Sequence, residues 1–599
     1  MTAGARTAAM LRSPLALVVL ALSTWFVITF LLVPNIALLQ TVFTSGGEFS
    51  VRSWEKLLSS QRAVKSLVNS LILAVVLSVT VNLVGIFIVL VTRYFQIRGA
   101  RILWLGYATT LIYGGIVLVA GYKFLYGGNG ILTKAITTVI PSVDPNWFTG
   151  AFAVCFVMTF ATTGNHMLFL GASLAKVDYQ TIEAAKKLGA SPWKVLRQVV
   201  LPTLKPTVFA LTILTFLGGL GALAAPQVVG GRDFQTIAPM ILTFSQAPSS
   251  RDLAATLAII LAVVTVALLM LLNKLEAGGT YFSVSKVPVA IIKQKIENPV
   301  ANVIVHVLAY LLFLVYALPP LFIVLFSFTD AASINAARLS FDAFTLDNYV
   351  KIITDPNAYW PFMVSVGYSG IAALVVIFGM LFVARIITRY RNNITGAMEY
   401  LFHIPWVMPG TMMALGLILA FDHPQWLVGG QVLTGTVTVL GIAYVIGKIP
   451  FTLRLLKAAF TGINASLEEA ASMLGAGQLY TFRKVLLPLV IPTATAITAL
   501  NFNSMLDDYD SAVFLAHPFY QPLGIFIKNA TESETGGDTT ALTFVYTVIL
   551  MVITGLTMYL VYGRSSSSSP RKRRLRRATR SVKATAATGG LPSQKDTTP

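Results

Sequence analysis

The stretch EEAASMLGAGQLYTFRKVLLP, Glu468 to Pro488, decides how this chain is read. It carries two acids, an Arg and a Lys, in helix-favouring sequence interrupted by glycines, and it lies between long hydrophobic runs. A second stretch, EAAKKLGASPWKVLRQVVLP at Glu183 to Pro202, reads nearly the same. Glu183 and Glu469 stand 286 residues apart, and so do Gly189 and Gly475, and Pro202 and Pro488. Two copies running in one direction make a parallel repeat.

The local physics of each copy is the same. Glu183–Leu188 and Glu469–Leu474 are good helix formers. Two alanines and a leucine at i, i+1 and i+4 make a narrow small and apolar face, able to enter a shallow groove. The glycine that follows ends the helix, most simply in a left-handed conformation. Ser191 and Pro192 then read as the cap and first turn of a second helix, with Gly477 and Gln478 in the capping positions of the other copy. Pro202 and Pro488 mark a bend into the next apolar run. Each copy is thus a helix–turn–helix with a short, partly charged leading helix.

The rest of the chain supplies the setting. Of 599 residues, 56% are hydrophobic and 11% charged, against about 25% charged in soluble domains, and the mean hydropathy is +0.75. Lipid is the solvent this implies. Continuous apolar runs of about 20 residues span a bilayer as helices, which satisfy their own backbone. Twelve spans fall near 14–42, 66–92, 102–126, 150–171, 205–225 and 253–273, then near 300–327, 362–387, 397–420, 432–450, 488–505 and 541–562. That divides the chain into a first half at 1–276 with its charged loop at 172–204, a linker at 277–299, a second half at 300–564 with its charged loop at 451–487, and a basic tail at 565–599. The first apolar run is longer than the usual core of a secretion signal and is read as an uncleaved span.

The net charge of +20 follows membrane topology rather than nucleic acid. Arg93, Arg98 and Arg101, then Arg385, Arg389 and Arg391, flank span ends, the tail holds RKRRLRR, and FDHPQWLVGGQ on the other side has no Lys or Arg. Both termini and both charged loops are therefore expected in the cytoplasm. The tail is low in complexity and is expected to be disordered.

Several chemistries are excluded. There is no G-x-x-x-x-G-K-[ST] loop, because Gly447-Lys448 is followed by Ile449 and Ile442 stands where the first glycine belongs. The five histidines have no ligand spacing and Cys155 is alone. The chain is read as a non-enzyme that binds no cofactor or metal. Polar residues in the apolar runs are pathway candidates. Asn501 and Asn503 precede Asp507, Asp508 and Asp510, whose counterparts 286 residues earlier are Gly221, Ala222 and Ala224. These acids would pass a cationic substrate or touch a docked protein; Asn69, Asn82, Asn501 and Asn503 are further pathway candidates, which helix–helix hydrogen bonding explains equally well.

The pattern E-A-A-x3-G-x12-L-P after the fourth of six spans resembles the permeases of binding-protein-dependent ABC importers. The resemblance implies an all-α membrane protein of two parallel six-helix repeats, the type I importer permease fold, in a bacterial plasma membrane. It implies that Glu183, Ala184, Ala185 and Gly189, with Glu469, Ala470, Ala471 and Gly475, dock on a cytoplasmic ATPase dimer that holds the ATP, and that a solute-binding protein delivers cargo from outside. One-chain permeases of this kind resemble the ferric-iron and thiamine group, and LFHIPWVMPGTMMALG at Leu401–Gly416 is similar to its third span. Ferric iron is the leading substrate; thiamine, phosphonate, polyamine and sugar phosphate are alternatives. A secondary transporter of two six-span halves is the alternative class.

Overall fold

The computed structural model describes residues 3–45, 47–277, 292–336, 339, 341–464, 466–532 and 537–563. The basic tail and residues 278–291 of the linker lie outside the described residues. Among the described residues, ten helices are long and apolar enough to cross a membrane, and two bent helix pairs raise the number to twelve. In the first half, spans 1, 2, 4, 5 and 6 are Pro14–Phe43, Gln61–Tyr94, Gly150–Leu174, Pro192–Leu220 and Pro248–Leu271. In the second, spans 7, 8, 10, 11 and 12 are Pro299–Ser327, Pro356–Tyr390, Val437–Thr461, Leu479–Leu506 and Asp538–Val561.

Spans 3 and 9 depart from the sequence expectation of unbroken helices. Ala100–Leu111 meets Gly115–Val139 at 116°, and Asn393–Val407 meets Gly410–Phe421 at 106°. The first break falls at Gly114 and Gly115, and Gly115 has φ +54, which only glycine adopts freely. The second falls where Pro409 forces Met408 into extended backbone, at φ −89 and ψ 132.

The two halves are related by matched contacts. Ser70 Oγ accepts a hydrogen bond from the Ile237 amide at 2.7 Å, and Ser365 Oγ accepts one from the Leu523 amide at 2.8 Å. Lys56 pairs with Asp252 at 2.8 Å, and Lys351 with Asp538 at 3.0 Å. Ser70 and Ser365 are 295 residues apart while Ile237 and Leu523 are 286 apart. The register therefore changes between them, in the segment between Tyr126 and Gly150, where the first half has the additional helix Ile131–Val139.

Each half lends its first span to the other. Pro34 and Leu38 of span 1 lie on Gly416 of span 9: a Cβ there would stand 3.0 Å from Leu38 Cδ1 and 3.1 Å from the Pro34 carbonyl oxygen. Ile323 and Pro319 of span 7 lie on Gly121 of span 3, where a Cβ would meet Ile323 Cδ1 at 2.8 Å. Val27, Phe30 and Leu31 of span 1 are buried in the core of the second half, and Ala309 and Tyr316 of span 7 in that of the first. Lipid tails are as apolar as leucine, so helices adhere through close approach at small residues and through polar ties. Such ties join the halves here. Tyr107 Oη donates to the Ala309 carbonyl at 2.7 Å, Thr163 and Tyr316 share a hydroxyl bond of 2.6 Å, and Arg251 pairs with Asp422 at 2.6 Å. Val68, Ile72, Val75, Val79 and Leu83 project from span 2 uncovered, as a lipid-facing stripe does.

Gly416→Leu should overpack the span 1 crossing and cost about 1–3 kcal/mol, read as a lower thermal midpoint in detergent. Adding Leu38→Ala should recover part of it. Gly379→Leu, at a glycine of span 8 with nothing within 4 Å of its missing Cβ, should leave the midpoint unchanged.

Candidate functional site

The two charged loops fold alike at one end of the molecule. Asp178 caps the helix Tyr179–Lys187 by accepting the Gln180 amide at 2.9 Å, and Asn464 caps Ser466–Met473 by accepting the Ser466 amide at 3.1 Å. Both helices end as expected on a left-handed glycine, Gly189 at φ +82 and Gly475 at φ +78. The Ala190 amide reaches back to the Ala185 carbonyl and Gly189 to Lys186; Ala476 reaches Ala471 and Gly475 reaches Ser472. These two bonds per helix are the paired closure of a Schellman cap. Ser191 caps the next turn by accepting the Lys194 amide at 3.3 Å.

The caps throw a matched set of side chains outward. Leu188 is 88% exposed and Leu474 87%; Trp193 is 67% exposed and its counterpart Leu479 62%. Glu183, Ala184, Glu469 and Ala470 are exposed beside them. The alanine pairs do not share one face as the spacing suggested. Adjacent helical residues lie about 100° apart, so Ala185 and Ala471 turn inward while Ala184 and Ala470 stay out with the leucines. Isolated leucines this bare are ordinary, but a twofold-matched apolar patch is the mark of an interface.

After the glycine, the expected bend at Pro202 and Pro488 is replaced by a continuous helix. Pro192–Leu220 is one helix, and Leu479–Leu506 is another. Leu196–Val200 and Phe482–Leu486 form π-turns, closed by the Leu201 amide on Leu196 and the Leu487 amide on Phe482. A proline ring crowds the carbonyl four residues back; the wider turn just before it accommodates the ring and keeps the helix whole. Each leading helix is thus joined by a single glycine turn to a rigid span.

The two prongs are anchored by different chemistry. On the first, Ile182 is fully buried and packs with Leu90 of span 2. On the second, Glu468 takes both terminal nitrogens of Arg385 on span 8, with Nη1 at 2.8 Å and Nη2 closer still. The first prong has one further tie, from Lys186 Nζ to the Gln294 side chain. Gln294 belongs to the linker and is itself held by backbone bonds, its amide to the Tyr94 carbonyl at 2.8 Å and its carbonyl to the Gln96 amide at 2.9 Å.

Away from the prongs, a cavity of about 300 Å³ opens between the halves. Thr110, Tyr113 and Gly115, at the break in span 3, form one wall. Asn503, Asp507, Asp508 and Asp510, at the end of span 11, form the other, closed by Thr554 of span 12. A Cβ on Gly115 would stand 3.5 Å from Asp507 Oδ2, so this carboxylate lies at the start of the helix Gly115–Tyr126, where the amide dipoles favour negative charge. Asp508 Oδ2 accepts the Ser511 amide at 3.1 Å. Lys448, inside span 10, lies in the field of Asp507 and Asp508.

The other sequence candidates divide. Asn503 lines the cavity and accepts from Thr554 Oγ1 at 2.8 Å. Asn501 is buried and donates to Thr452 Oγ1 at 2.7 Å. Asn69 donates to the Gln235 carbonyl at 3.0 Å, and Asn82 binds Thr212 and His166; these three asparagines hold helices together. Among the described residues, no group of three His, Cys, Asp or Glu side chains converges to hold a metal. Sequence reasoning missed the wall from span 3, since a helix break is not visible in an apolar run. It also passed over Lys448, although a lysine inside an apolar span is itself a signal.

The comparisons agree with this architecture. The family model described as the binding-protein-dependent transport system inner membrane component matches residues 101–275 and again 381–564. The chain is 40% identical over 553 residues to the probable ABC transporter permease protein y4fN of Sinorhizobium fredii, covering 92% of this chain and 96% of that one. It is 24% identical over 536 residues to the ferric transport system permease protein FbpB of Actinobacillus pleuropneumoniae, covering 88% and 75%. It is 25% identical over 259 residues to the putative 2-aminoethylphosphonate transport system permease protein PhnV of Salmonella paratyphi A, covering 43% of this chain and 94% of that one. With the family's domain present twice on twelve spans, the chain belongs to the binding-protein-dependent transport system inner membrane components, as a two-half ABC importer permease of the type I fold.

Proposed function

We propose that the two prongs face the cytoplasm and seat in the two grooves of an ATPase dimer, whose closure drives the halves from outward to inward access. The observation that carries this reading is the twofold match at 286 residues: the same caps, the same left-handed glycine, and the same bare leucine on each prong. Because each prong joins its span through one glycine turn, a push on the pair tilts spans 5 and 11 together. The ATP is hydrolysed on the partner, and this chain supplies no phosphate loop. A solute-binding protein delivers cargo at the opposite end. Both termini lie on the cytoplasmic side, as twelve spans require. The solute passes between the halves, by way of Asn503, Asp507, Asp508 and Asp510. Ferric iron is the leading cargo, on the likeness to a relative named for ferric transport.

Proline cannot adopt the positive φ of Gly189 and Gly475. The double variant Gly189→Pro with Gly475→Pro should therefore lose uptake at least about tenfold while ATP hydrolysis persists uncoupled or the ATPase is released; normal transport by this protein would remove the docking assignment. Leu188→Asp with Leu474→Asp should release the ATPase on co-purification without moving the thermal midpoint, since both sites are bare. Arg385→Ala strands the Glu468 carboxylate and should weaken coupling through the second prong only. Arg385→Leu with Glu468→Ile, the pair found at the first prong, should restore it in an ATPase-coupled transport assay.

A further inference from the structure

We propose that Gln294 is a positioning residue for the stroke: it seats the first prong and hitches it to span 7, so that a push on this prong moves span 5 of its own half and the leading span of the other half together. This rests on the permease reading above, in which the prongs take the push, and it gives the linker between the halves a part in that push.

A connector that only joined two halves would run over the surface in water. Gln294 is instead 3% exposed, and each of its polar groups is used. Its amide donates to the Tyr94 carbonyl at 2.8 Å and its carbonyl accepts from the Gln96 amide at 2.9 Å, a parallel bridge onto Phe95 in the turn after span 2. Its side-chain oxygen accepts from Lys186 Nζ on the first prong, and its side-chain nitrogen donates to the Ile292 carbonyl. Nearby linker residues add to the hold. Lys293 Nζ donates to the Thr92 carbonyl at 2.8 Å, and Ile296 packs against the core that contains Ile97 and Leu103. A buried polar group satisfied on every side holds one geometry.

The other end of this strap is equally firm. Asn298 starts span 7 by accepting the Val300 and Ala301 amides at 2.9 and 3.2 Å. Further along span 7, His306 Nε2 accepts the Arg98 amide at 3.4 Å, and Tyr310 Oη donates to the Arg98 carbonyl at 3.0 Å. The turn between spans 2 and 3 is thus gripped by the linker on one side and by span 7 on the other. Lys186 fastens the first prong to that same body.

The arrangement belongs to one half. Lys186 has Ser472 as its counterpart 286 residues on, a side chain too short for the same reach. The second prong is held by Glu468 on Arg385, within its own half. Ahead of span 1, where the strap would have its counterpart, stands the helix Ala3–Leu11, which packs through Met10 on Ile386 and Tyr390. The first prong is therefore tied across the halves, and the Arg385 tie of the second stays inside one.

The test reads the prongs directly, by hydrogen exchange of the full chain in nanodiscs. Gln294→Ala removes the acceptor of a charge-assisted hydrogen bond. Exchange in residues 179–190 of the first prong should speed up about tenfold, with residues 466–476 of the second prong unchanged. Lys186→Met should do the same, and the double variant should add nothing further. Gln294→Glu keeps an acceptor for the ammonium and should keep the wild-type protection, a rescue that a merely space-filling residue would not show. Nitroxides at Lys187 and Val300, on a Cys155→Ser background, read the hitch by electron resonance. Their separation should stay the same when ATP is added to the complex with the ATPase, and should shift in Gln294→Ala. Unchanged exchange of the first prong in Gln294→Ala, equal loss of protection at both prongs, or a Lys187–Val300 separation that shifts with ATP in the otherwise wild-type chain would overturn the proposal. ATPase co-purification is measured on the same samples, so a failure of docking and a failure of the strap are read separately.

Discussion

The exchanged first spans are the constraint on which the rest of this architecture depends. Inside a bilayer there is no water to expel from between helices, so adhesion comes from backbone approach and from polar bonds that have nowhere else to go. Here the approach is made at Gly416 under Leu38 and at Gly121 under Ile323, one crossing on each side. Each half thereby holds a helix that belongs to the other. Pulling the halves apart would expose both glycine seats and break the Tyr107, Thr163 and Arg251 ties at once. The two crossings leave the cavity between spans 3 and 11 as open space between the halves. A pathway that must open alternately at its two ends, without coming apart, needs that kind of joint.

Within this twofold frame the two halves agree on their outward faces and differ in their interior support and in the cavity between them. The Lys56–Asp252 and Lys351–Asp538 pairs are the same contact written twice, and so are the serine bonds to Ile237 and Leu523. These are scaffold, and symmetry costs them nothing. At the prongs, the outward faces agree and the anchors differ: a buried isoleucine on one, a bidentate arginine–glutamate pair on the other. The surface offered to a twofold partner stays matched while the interior support is free to drift. The acids of the cavity go further and exist in one half only. A narrow route along a pseudo-twofold axis can be polar from one side alone, and the other wall need only leave room.

What the amino-acid sequence disclosed follows the range of the interactions involved. The Schellman glycines, the Ser191 cap and the twelve apolar stretches are set by residues within a few positions of one another, and each was legible. The acids after span 11 were legible as an asymmetry between repeats. The exchange of spans 1 and 7 was not, because Pro34 and Gly416 are distant in the chain and neither is unusual for a membrane helix. The Arg385–Glu468 pair was hidden for a related reason: Glu469 carries the repeated pattern, and its neighbour carries the anchor. The prolines at 202 and 488 misled, since a proline reads as a bend unless the π-turn before it is foreseen.

The breaks in spans 3 and 9 show how one fold makes a site on one side only. Non-helical backbone at membrane depth is tolerated where it is buried in protein or lines a cavity. The two breaks take the two options. At span 9, Pro405, Met408 and Met412 close around Pro34 and Asn35 of span 1, and Asn35 Nδ2 reaches Met408 Sδ at 3.4 Å. The space left is about 10 Å³, near the minimum that holds one water. At span 3, residues Thr110 to Val117 face about 300 Å³ and the end of span 11. The plugged break holds a borrowed helix; the open break sets its glycine pair beside Asp507. Similar bends of 116° and 106° are thus packed shut in one half, by Pro34 and Asn35 of span 1 against the methionines of span 9, and left facing three carboxylates in the other.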